Sequence, residues 1–180
     1  MKKRIVIIGN SGSGKSYLAG QLSAIFGARL IHLDSIFWMP GGFNERRSAD
    51  EISNLIAGHT NAPAWVVEGV FGELASRFLD SAESLLWLDM PLELCRTSLI
   101  QRGSESSKQR DPAQAQESFR ALLQWSSEYW SRTNFQSHQG HLRLFDGFKG
   151  DKIRFERRAD VDAYVHAIRE ESKSGGFFLT

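Results

Sequence analysis

The sequence contains a single cysteine, Cys95, among its 180 residues. One thiol excludes a disulfide within the chain and is typical of proteins from a reducing compartment. Long apolar runs are missing as well. Ile5–Ile8, which follows the basic start Met1-Lys2-Lys3-Arg4, is too short for the apolar part of a signal peptide, and no other run approaches the length of a bilayer span. We therefore expect a cytoplasmic protein with no membrane partner.

A strong charge of one sign is also absent, because 22 basic residues face 21 acidic ones and leave a formal net charge of +1. This balance gives no field that would make nucleic acid the main partner, so direct nucleic-acid binding is not expected. The five histidines lack metal-ligand spacing, and no structural metal is predicted. The basic residues of the second half are mostly arginines, which form either a solvated surface or a clamp for an anion.

The chain does have enough apolar material for a substantial core, since 41% of its residues are hydrophobic. Its length fits one domain over residues 1–180. Short β-branched runs alternate with longer stretches of helical spacing, a pattern that predicts an α/β fold with a parallel sheet. The five predicted strands are Arg4–Ile8, Arg29–Leu33, Trp65–Glu68, Leu85–Asp89 and Lys152–Phe155.

Helices are predicted between these strands. The clearest start is Ser48, which forms a capping box with Glu51. Pro91 stands where a first-turn proline would open a helix that ends near Arg102. Residues 137–148 fit a helix or a strand equally well. The other helices are indicated by Phe71–Leu79 and by the apolar stripes Leu18-Leu22-Ile25, Phe119-Leu122-Leu123-Trp130 and Val161-Tyr164-Val165-Ile168.

The most specific motif follows the first strand. Gly9-Asn10-Ser11-Gly12-Ser13-Gly14-Lys15-Ser16 matches G-x-x-x-x-G-K-[ST] at every fixed position. Backbone N–H groups of such a loop and the N-terminus of the next helix converge on phosphate oxygens. Lys15 would neutralise β- and γ-phosphate charge, and the Ser16 hydroxyl would coordinate Mg²⁺. The predicted nucleotide-binding residues here are Gly9, Ser11, Gly12, Ser13, Gly14, Lys15, Ser16 and Tyr17.

Signatures of other P-loop classes are missing. The chain has no Asn-Lys-x-Asp or Asp-x-x-Gly string of the GTPases and no Leu-Ser-Gly-Gly string of the transporter ATPases. The chain is also short for a ring-forming ATPase. The small kinases remain, which predicts transfer of the γ-phosphoryl of MgATP to a small acceptor.

Three carboxylates, Asp34, Glu68 and Asp89, stand at the carboxyl ends of predicted strands. The ligand crevice of a doubly wound sheet lies at these ends. Phosphoryl transfer needs a carboxylate that holds Mg²⁺, directly or through water, and often another that orients or deprotonates the acceptor. We assign these tasks to Asp34 and Glu68, with Ser16 and Glu68 as the Mg²⁺ residues. Asp89 follows an apolar run typical of a Walker B strand and is the alternative metal carboxylate.

Each carboxylate also has a purely structural interpretation. Asp34 would then begin a turn, Glu68 would pair with an arginine, and Asp89 would serve the start of the following helix.

Arginines bracket the polar segment after Gly103. We predict a short lid over about residues 103–113, in which Arg102 and Arg110 close over the transferring group and stabilise its charge. For any single arginine a solvated surface position is an equal alternative. Arg157, with its neighbour Arg158, follows the last strand and would frame the nucleotide base or lie in solvent.

Aromatic residues close to Asp34 have two interpretations. Phe37, Trp38 and Phe43 could form a wall of the acceptor site, while core packing is the simpler explanation, above all for Phe37. Trp125, Tyr129 and Trp130 lie on a predicted helix and are expected in the core.

The chain resembles the adenylate-kinase-like P-loop kinases and, more closely, the FlaR-related DNA topology modulation proteins. The resemblance reaches to about Ile168 and rests on Gly9–Ser16, on His32-Leu33-Asp34 with Trp38 and Pro40, on Trp65-Val66-Val67-Glu68-Gly69, on Leu88-Asp89-Met90-Pro91, and on Arg96 and Arg102. It implies a three-layer P-loop NTPase fold with a five-stranded parallel sheet in the order 2-3-1-4-5, and ATP and Mg²⁺ as cofactors.

One departure from the adenylate-kinase pattern concerns the acceptor. Those kinases carry Asp-Gly followed by Phe-Pro-Arg after strand three, whereas this chain has Glu68-Gly69 followed by Val70-Phe71-Gly72. The arginine that grips a nucleoside monophosphate is missing at that spot, although Arg77 could reach the region from the next helix. The acceptor, the choice between ATP and GTP, and the oligomeric state are left open.

A second hypothesis follows from the missing acceptor signature. The protein would be a nucleotide-binding regulatory or accessory ATPase without a small-molecule acceptor, linked to DNA topology. Direct DNA binding is suggested only by the family label, and the balanced charge speaks against it.

Overall fold

The computed structural model describes residues 3–41, 45–103 and 112–174. Its five strands form one parallel sheet in the order β2-β3-β1-β4-β5, which confirms the predicted fold class. The strands are β1 Arg4–Gly9, β2 Arg29–His32, β3 Trp65–Gly69, β4 Ser84–Leu88 and β5 Asp151–Phe155.

Eight α-helices lie in the described parts of the chain. Their bounds are α1 Lys15–Phe26, α2 Leu33–Phe37, α3 Ala49–Thr60, α4 Gly72–Leu79, α5 Leu92–Arg102, α6 Pro112–Ser127, α7 His138–Gly147 and α8 Arg158–Ser174. The capping box that opens α3 is present, with Ser48 and Glu51 each accepting a backbone hydrogen bond from the other. Within these described ranges, no helix is both long and apolar enough to cross a membrane.

The three central strands of the sheet, β1, β3 and β4, are buried on both faces, as expected for parallel strands with apolar sequences. On one face Val67 and Trp87 pack against α3, α4 and α7. On the other face Val66 and Leu86 pack against α1 and α8. Neighbouring residues of one strand thus serve two separate cores, because side chains alternate across a strand. Helix, sheet and helix form the three layers, and all five strands end at the edge that carries the P-loop.

The predicted end of the second strand was wrong. β2 ends at His32, and Leu33 begins the short helix α2, so Asp34 lies in a first helical turn. Gly69 at the end of β3 explains the turn. A Cβ at Gly69 would stand 2.6 Å from the Leu33 Cβ, so only glycine leaves room for Leu33 to fold over the end of β3. Leu33 and Ile36 are then both buried.

Further differences from the sequence-based expectation concern β4 and α6, and the structure also decides the ambiguous segment 137–148. β4 ends at Leu88, although the Asp89 N–H still donates to Phe155 O at 2.8 Å. α6 ends at Ser127, and Trp130 lies in a 3₁₀ turn with 40% of its surface exposed, so the expected core position of Trp130 was wrong. The ambiguous segment 137–148 is helical, because Ser137 caps α7 by accepting the Gly140 N–H at 3.0 Å.

Candidate active site

The P-loop lies between β1 and α1 in close contact with its neighbours. A Cβ at Gly12 would stand 2.2 Å from Cys95 O of α5, and one at Gly9 would stand 2.5 Å from Leu88 O of β4. Gly12 and Gly14 also have φ values of 79° and 100°, in the left-handed region that favours glycine. The loop backbone therefore has no space for a side chain at Gly9 or Gly12, whereas at Gly14 it is the left-handed φ that favours glycine.

Lys15 is buried at the start of α1. Its ammonium Nζ donates to Asn10 O within the loop at 2.7 Å. Burial lowers the pKa of Lys15, while the charges of Glu68 and Asp34 act in the opposite direction. A phosphate oxygen that replaces Asn10 O would meet a cation already held inside the loop.

Asn10 anchors the loop to a distant helix, a contact that motif analysis missed. Its amide Nδ2 donates to Ser126 O at 2.9 Å, and its Oδ1 accepts the Ser11 N–H at 2.8 Å. The Ser126 carbonyl belongs to the last turn of α6, where carbonyls have no partner within the helix. The motif leaves this position variable, so no signal in the sequence pointed to Asn10.

Glu68 lies on β3 next to the start of α1. Its Oε1 accepts the Ser16 hydroxyl at 3.0 Å and is 2.6 Å from His32 Nδ1. Burial alone raises the pKa of Glu68, but the His32 hydrogen bond and the Lys15 charge outweigh it, so this pKa falls below its usual value. The carboxylate is therefore charged at neutral pH. A hydroxyl and a carboxylate oxygen side by side suit Mg²⁺, which prefers oxygen ligands and takes others from substrate phosphates.

Asp89 stands on the other side of β1 and is bound to the Arg154 guanidinium. Its Oδ2 accepts from Arg154 Nε at 3.0 Å and lies 3.1 Å from His138 Nε2. Its Oδ1 is buried and has no hydrogen-bond partner among the described residues. Pairing with an arginine was the structural interpretation left open for Glu68. The structure shows this pairing at Asp89. The choice of Glu68 as the metal carboxylate stays a prediction.

Asp34 and Arg102 lie close enough to Lys15 for both charges to act on its pKa. Asp34 is in the first turn of α2 and Arg102 in the last turn of α5, so the structure brings the two predicted residues to the same crevice. Arg110, most of the predicted lid and Phe43 lie outside the described residues. The roles assigned to all of them stay predictions.

The two arginines after β5 have different surroundings. Arg157 is exposed and pairs with Asp160, with its Nη2 at 2.8 Å from Asp160 Oδ1. Arg158 instead donates to the Gly12 carbonyl at 3.5 Å and to the Ser98 hydroxyl. Arg158 also borders a cavity of about 200 Å³ beside the P-loop, whose lining is Ser13, Gly14, Tyr17, Leu88, Arg158, Val161 and Asp162. The position that contacts the P-loop is therefore that of Arg158, and the sequence held no signal to separate two adjacent arginines.

The aromatic residues near Asp34 pack against one another. Phe37 stacks on Phe71 with ring centroids 4.3 Å apart, and the Arg46 guanidinium lies 4.8 Å from the Phe37 centroid. Phe71 is buried, so this stack belongs largely to the core and favours the simpler interpretation of Phe37.

A buried polar chain, also missed in the sequence, connects β4 to the end of β3. Trp87 Nε1 donates to Tyr129 Oη at 3.3 Å, Tyr129 Oη is 2.6 Å from His141 Nδ1, and His141 Nε2 is 3.0 Å from Val70 O. Burial lowers the pKa of His141 to about 3. The neutral imidazole then donates a hydrogen bond from Nε2 to the carbonyl and accepts one at Nδ1 from the Tyr129 hydroxyl. This chain fixes α7 against the corner that follows Glu68.

Comparison with protein-family profiles and with curated protein sequences finds no match. Solved structures do match. A shikimate kinase from Acinetobacter baumannii in complex with shikimate is 16% identical to this chain, with a TM-score of 0.53. The match covers 98% of this chain and 96% of the kinase chain. A gluconokinase from Sinorhizobium meliloti 1021 is 14% identical with a TM-score of 0.53, and covers 98% and 97%.

The Bacillus subtilis YorR protein in complex with phosphorylated GDP is 12% identical with a TM-score of 0.52, covering 95% of this chain and 98% of its own. The fold is that of small P-loop kinases. At this level of identity the likeness shows the fold alone. The chain thus has the three-layer architecture on which such kinases build their sites, and what it does with that architecture depends on its own residues.

Proposed function

We propose that this protein is a kinase that transfers the γ-phosphoryl of MgATP to a hydroxyl of a small molecule. The observation that carries the proposal is the convergence of three groups on one loop: a buried ammonium at Lys15, a hydroxyl at Ser16, and the charged carboxylate of Glu68 at 3.0 Å from that hydroxyl. Phosphoryl transfer requires little covalent chemistry from a protein, so positioned charges of this kind supply most of the catalysis.

Each group has a task in the proposed reaction. Backbone N–H groups of the loop and Lys15 bind the β- and γ-phosphates, and Ser16 and Glu68 would hold Mg²⁺. When bound there, Mg²⁺ neutralises charge that develops on the phosphate oxygens. The acceptor oxygen forms a bond to the γ-phosphorus, the bond from that phosphorus to the bridging oxygen breaks, and ADP leaves. The acceptor proton passes to Asp34, while Arg102 and Arg110 stabilise the transferring group.

The donor base is assigned to the cavity beside the P-loop. Arg158 borders it, and the Tyr17 hydroxyl donates to Asp162 Oδ1 at 3.3 Å across it. We retain Arg157 as a residue predicted near the base, although its guanidinium pairs with Asp160.

The acceptor class is a small hydroxyl compound. The matched structures named as a shikimate kinase and a gluconokinase support this choice, because both names denote kinases of small hydroxylated molecules. The cytoplasmic location, the single domain and the membership of the FlaR-related group are proposed with it on sequence grounds.

Nucleotide binding and an acceptor panel test the proposal. Calorimetry with ADP and Mg²⁺ should give saturable binding to the parent, and Lys15→Ala should weaken it by about 100-fold or more, since the cation inside the loop is lost. Arg169→Ala, which changes an exposed residue of α8, is the matched control.

The panel contains nucleosides, nucleoside monophosphates, sugars and hydroxy acids, each added with MgATP. At least one addition should stimulate ADP release above the background. Release that no acceptor stimulates would favour the accessory ATPase instead.

A further inference from the structure

Two side chains contact the same oxygen of Glu68. Ser16 Oγ lies 3.0 Å and His32 Nδ1 lies 2.6 Å from Oε1. We propose that His32 is a positioning residue, which keeps the Glu68 carboxylate turned toward Ser16 and away from Lys15. The inference rests on the proposed function, in which Ser16 and Glu68 hold Mg²⁺. His32 was noticed in the sequence only as part of a resemblance and had no task there.

Strand register fixes the pair. His32 and Glu68 are partners at the end of the β2·β3 pairing, so the backbone sets the distance between their Cα atoms. Both side chains therefore leave the sheet on the same face, which is also the face of α1 and Ser16. The imidazole reaches the buried carboxylate from the crevice, because 44% of the His32 side chain is exposed and only 4% of that of Glu68.

Glu68 has a competing neighbour in Lys15. A buried carboxylate needs partners to offset the loss of water, and the Lys15 charge already acts on Glu68. If the two closed into a contact pair, the cation would be withdrawn from phosphate and the carboxylate from Mg²⁺. The hydrogen bond from His32 holds Oε1 at Ser16, while the Lys15 ammonium donates to Asn10 O.

Substitutions at position 32 separate the hydrogen bond from the ring. Asparagine places an amide N–H close to the position of Nδ1 and should keep the contact. Alanine removes the donor, and leucine removes it while retaining most of the volume, so it serves as a second test if His32→Ala fails to fold. His166→Ala, at an exposed position of α8, is the matched control.

The experiment measures the gain in ADP affinity that Mg²⁺ provides. Each variant is titrated with ADP by calorimetry, once in excess Mg²⁺ and once in EDTA, and thermal unfolding confirms that it is folded. In His32→Ala and His32→Leu, the gain in ADP affinity that Mg²⁺ provides should be about tenfold or more smaller than in the parent. Losses of this size follow when partners that orient a metal ligand are removed. Affinity in EDTA should change by less than about threefold, because the loop amides remain. His32→Asn and His166→Ala should behave as the parent does.

Two results would overturn the role of His32 and leave the kinase site intact. One is a full gain from Mg²⁺ in both His32→Ala and His32→Leu. The other is an equal loss in His32→Asn, which would show that the hydrogen bond is not the determining contact. A parent protein whose ADP affinity does not respond to Mg²⁺ would instead refute the proposed function, and the role of His32 with it.

Discussion

Glu68 and Asp89 stand at the carboxyl ends of the two strands that pair with β1, one on each side of the P-loop. Both are buried carboxylates, yet their partners differ. Glu68 contacts a hydroxyl and an imidazole, whereas Asp89 is bound by the Arg154 guanidinium and lies next to His138. The guanidinium is permanently charged and donates to Asp89 Oδ2 from both Nε and Nη2. The comparison teaches that position at a strand end does not decide function, since the partners determine which carboxylate is available to a ligand.

The difference continues into the surroundings. On the Asp89 side the Arg154 guanidinium lies 4.7 Å from the Trp87 ring centroid, and His138 packs against the same ring. On the Glu68 side the neighbours are Lys15 and Ser16, the two P-loop residues to which the proposed function assigns chemical tasks. Under the proposed function, one flank of the loop therefore serves packing and the other serves chemistry.

The largest effect should come from removing the charge of each carboxylate in turn. Glu68→Gln should lower MgATP turnover by about 100-fold or more, because the charge that holds the metal is lost. Asp89→Asn should leave turnover within about threefold of the parent, since its charge is already compensated by Arg154. Steady-state ADP release with the best acceptor is the measurement. Equal losses in the two variants would remove the distinction between the two flanks.

The pH dependence of stability should come mainly from the buried chain through α7, which connects β4 to the corner that follows Glu68. The pKa of His141 is about 3 in the folded protein, against an ordinary value of 6.5. The unfolded chain therefore binds a proton that the folded chain does not, and stability is lost as pH falls from 6.5 toward 3. The loss should be about 2 kcal/mol between pH 7 and pH 5.

Urea unfolding at these two pH values measures that loss, with His141→Gln expected to abolish most of the difference. His59→Gln is the matched control, because His59 is only partly buried and its lowered pKa should contribute less. If His141→Gln kept the full pH difference, the neutral histidine would not be its source.

Arg157 and Arg158 provide a matched pair close to the loop. Arg158→Ala should weaken MgADP binding by about threefold to tenfold, because its guanidinium borders the cavity beside Gly14 and Tyr17. Arg157→Ala should change the affinity by less than about twofold, since an exposed ion pair contributes little. Calorimetry on both variants decides between them, and a larger loss in Arg157→Ala would restore the position chosen from the sequence.

The smallest effect should be the stability cost of losing the Asp89 pair. Asp89→Asn should lower the free energy of unfolding by about 1 kcal/mol, because Arg154 is partly exposed and water replaces its partner. Denaturant unfolding at neutral pH measures this cost. A loss of several kcal/mol would mean that Arg154 and His138 depend on Asp89 far more than their exposure indicates.

The sequence predicted the sheet and its loop well because both have local signals. The P-loop is a contiguous motif, the strands are short apolar runs, and the capping box of α3 spans three positions. The helix Leu33–Phe37 escaped prediction because its cause is the missing side chain of Gly69, a residue of another strand.

The contacts that organise the site depend on tertiary structure. Asn10 meets Ser126 across 116 positions of sequence, and His32 meets Glu68 only because β2 and β3 are neighbours in that register. Arg157 and Arg158 are the same residue type in adjacent positions. Only the direction in which α8 begins decides which of the two contacts the P-loop. A linear pattern carries none of this information.

The most direct measurement is the Mg²⁺ dependence of ADP affinity in three proteins: the parent, Glu68→Gln and Asp89→Asn. Mg²⁺ should tighten ADP binding in the parent and in Asp89→Asn, and should have little effect in Glu68→Gln. The opposite pattern, in which Asp89→Asn loses the response and Glu68→Gln keeps it, would place the metal on the other flank of the loop.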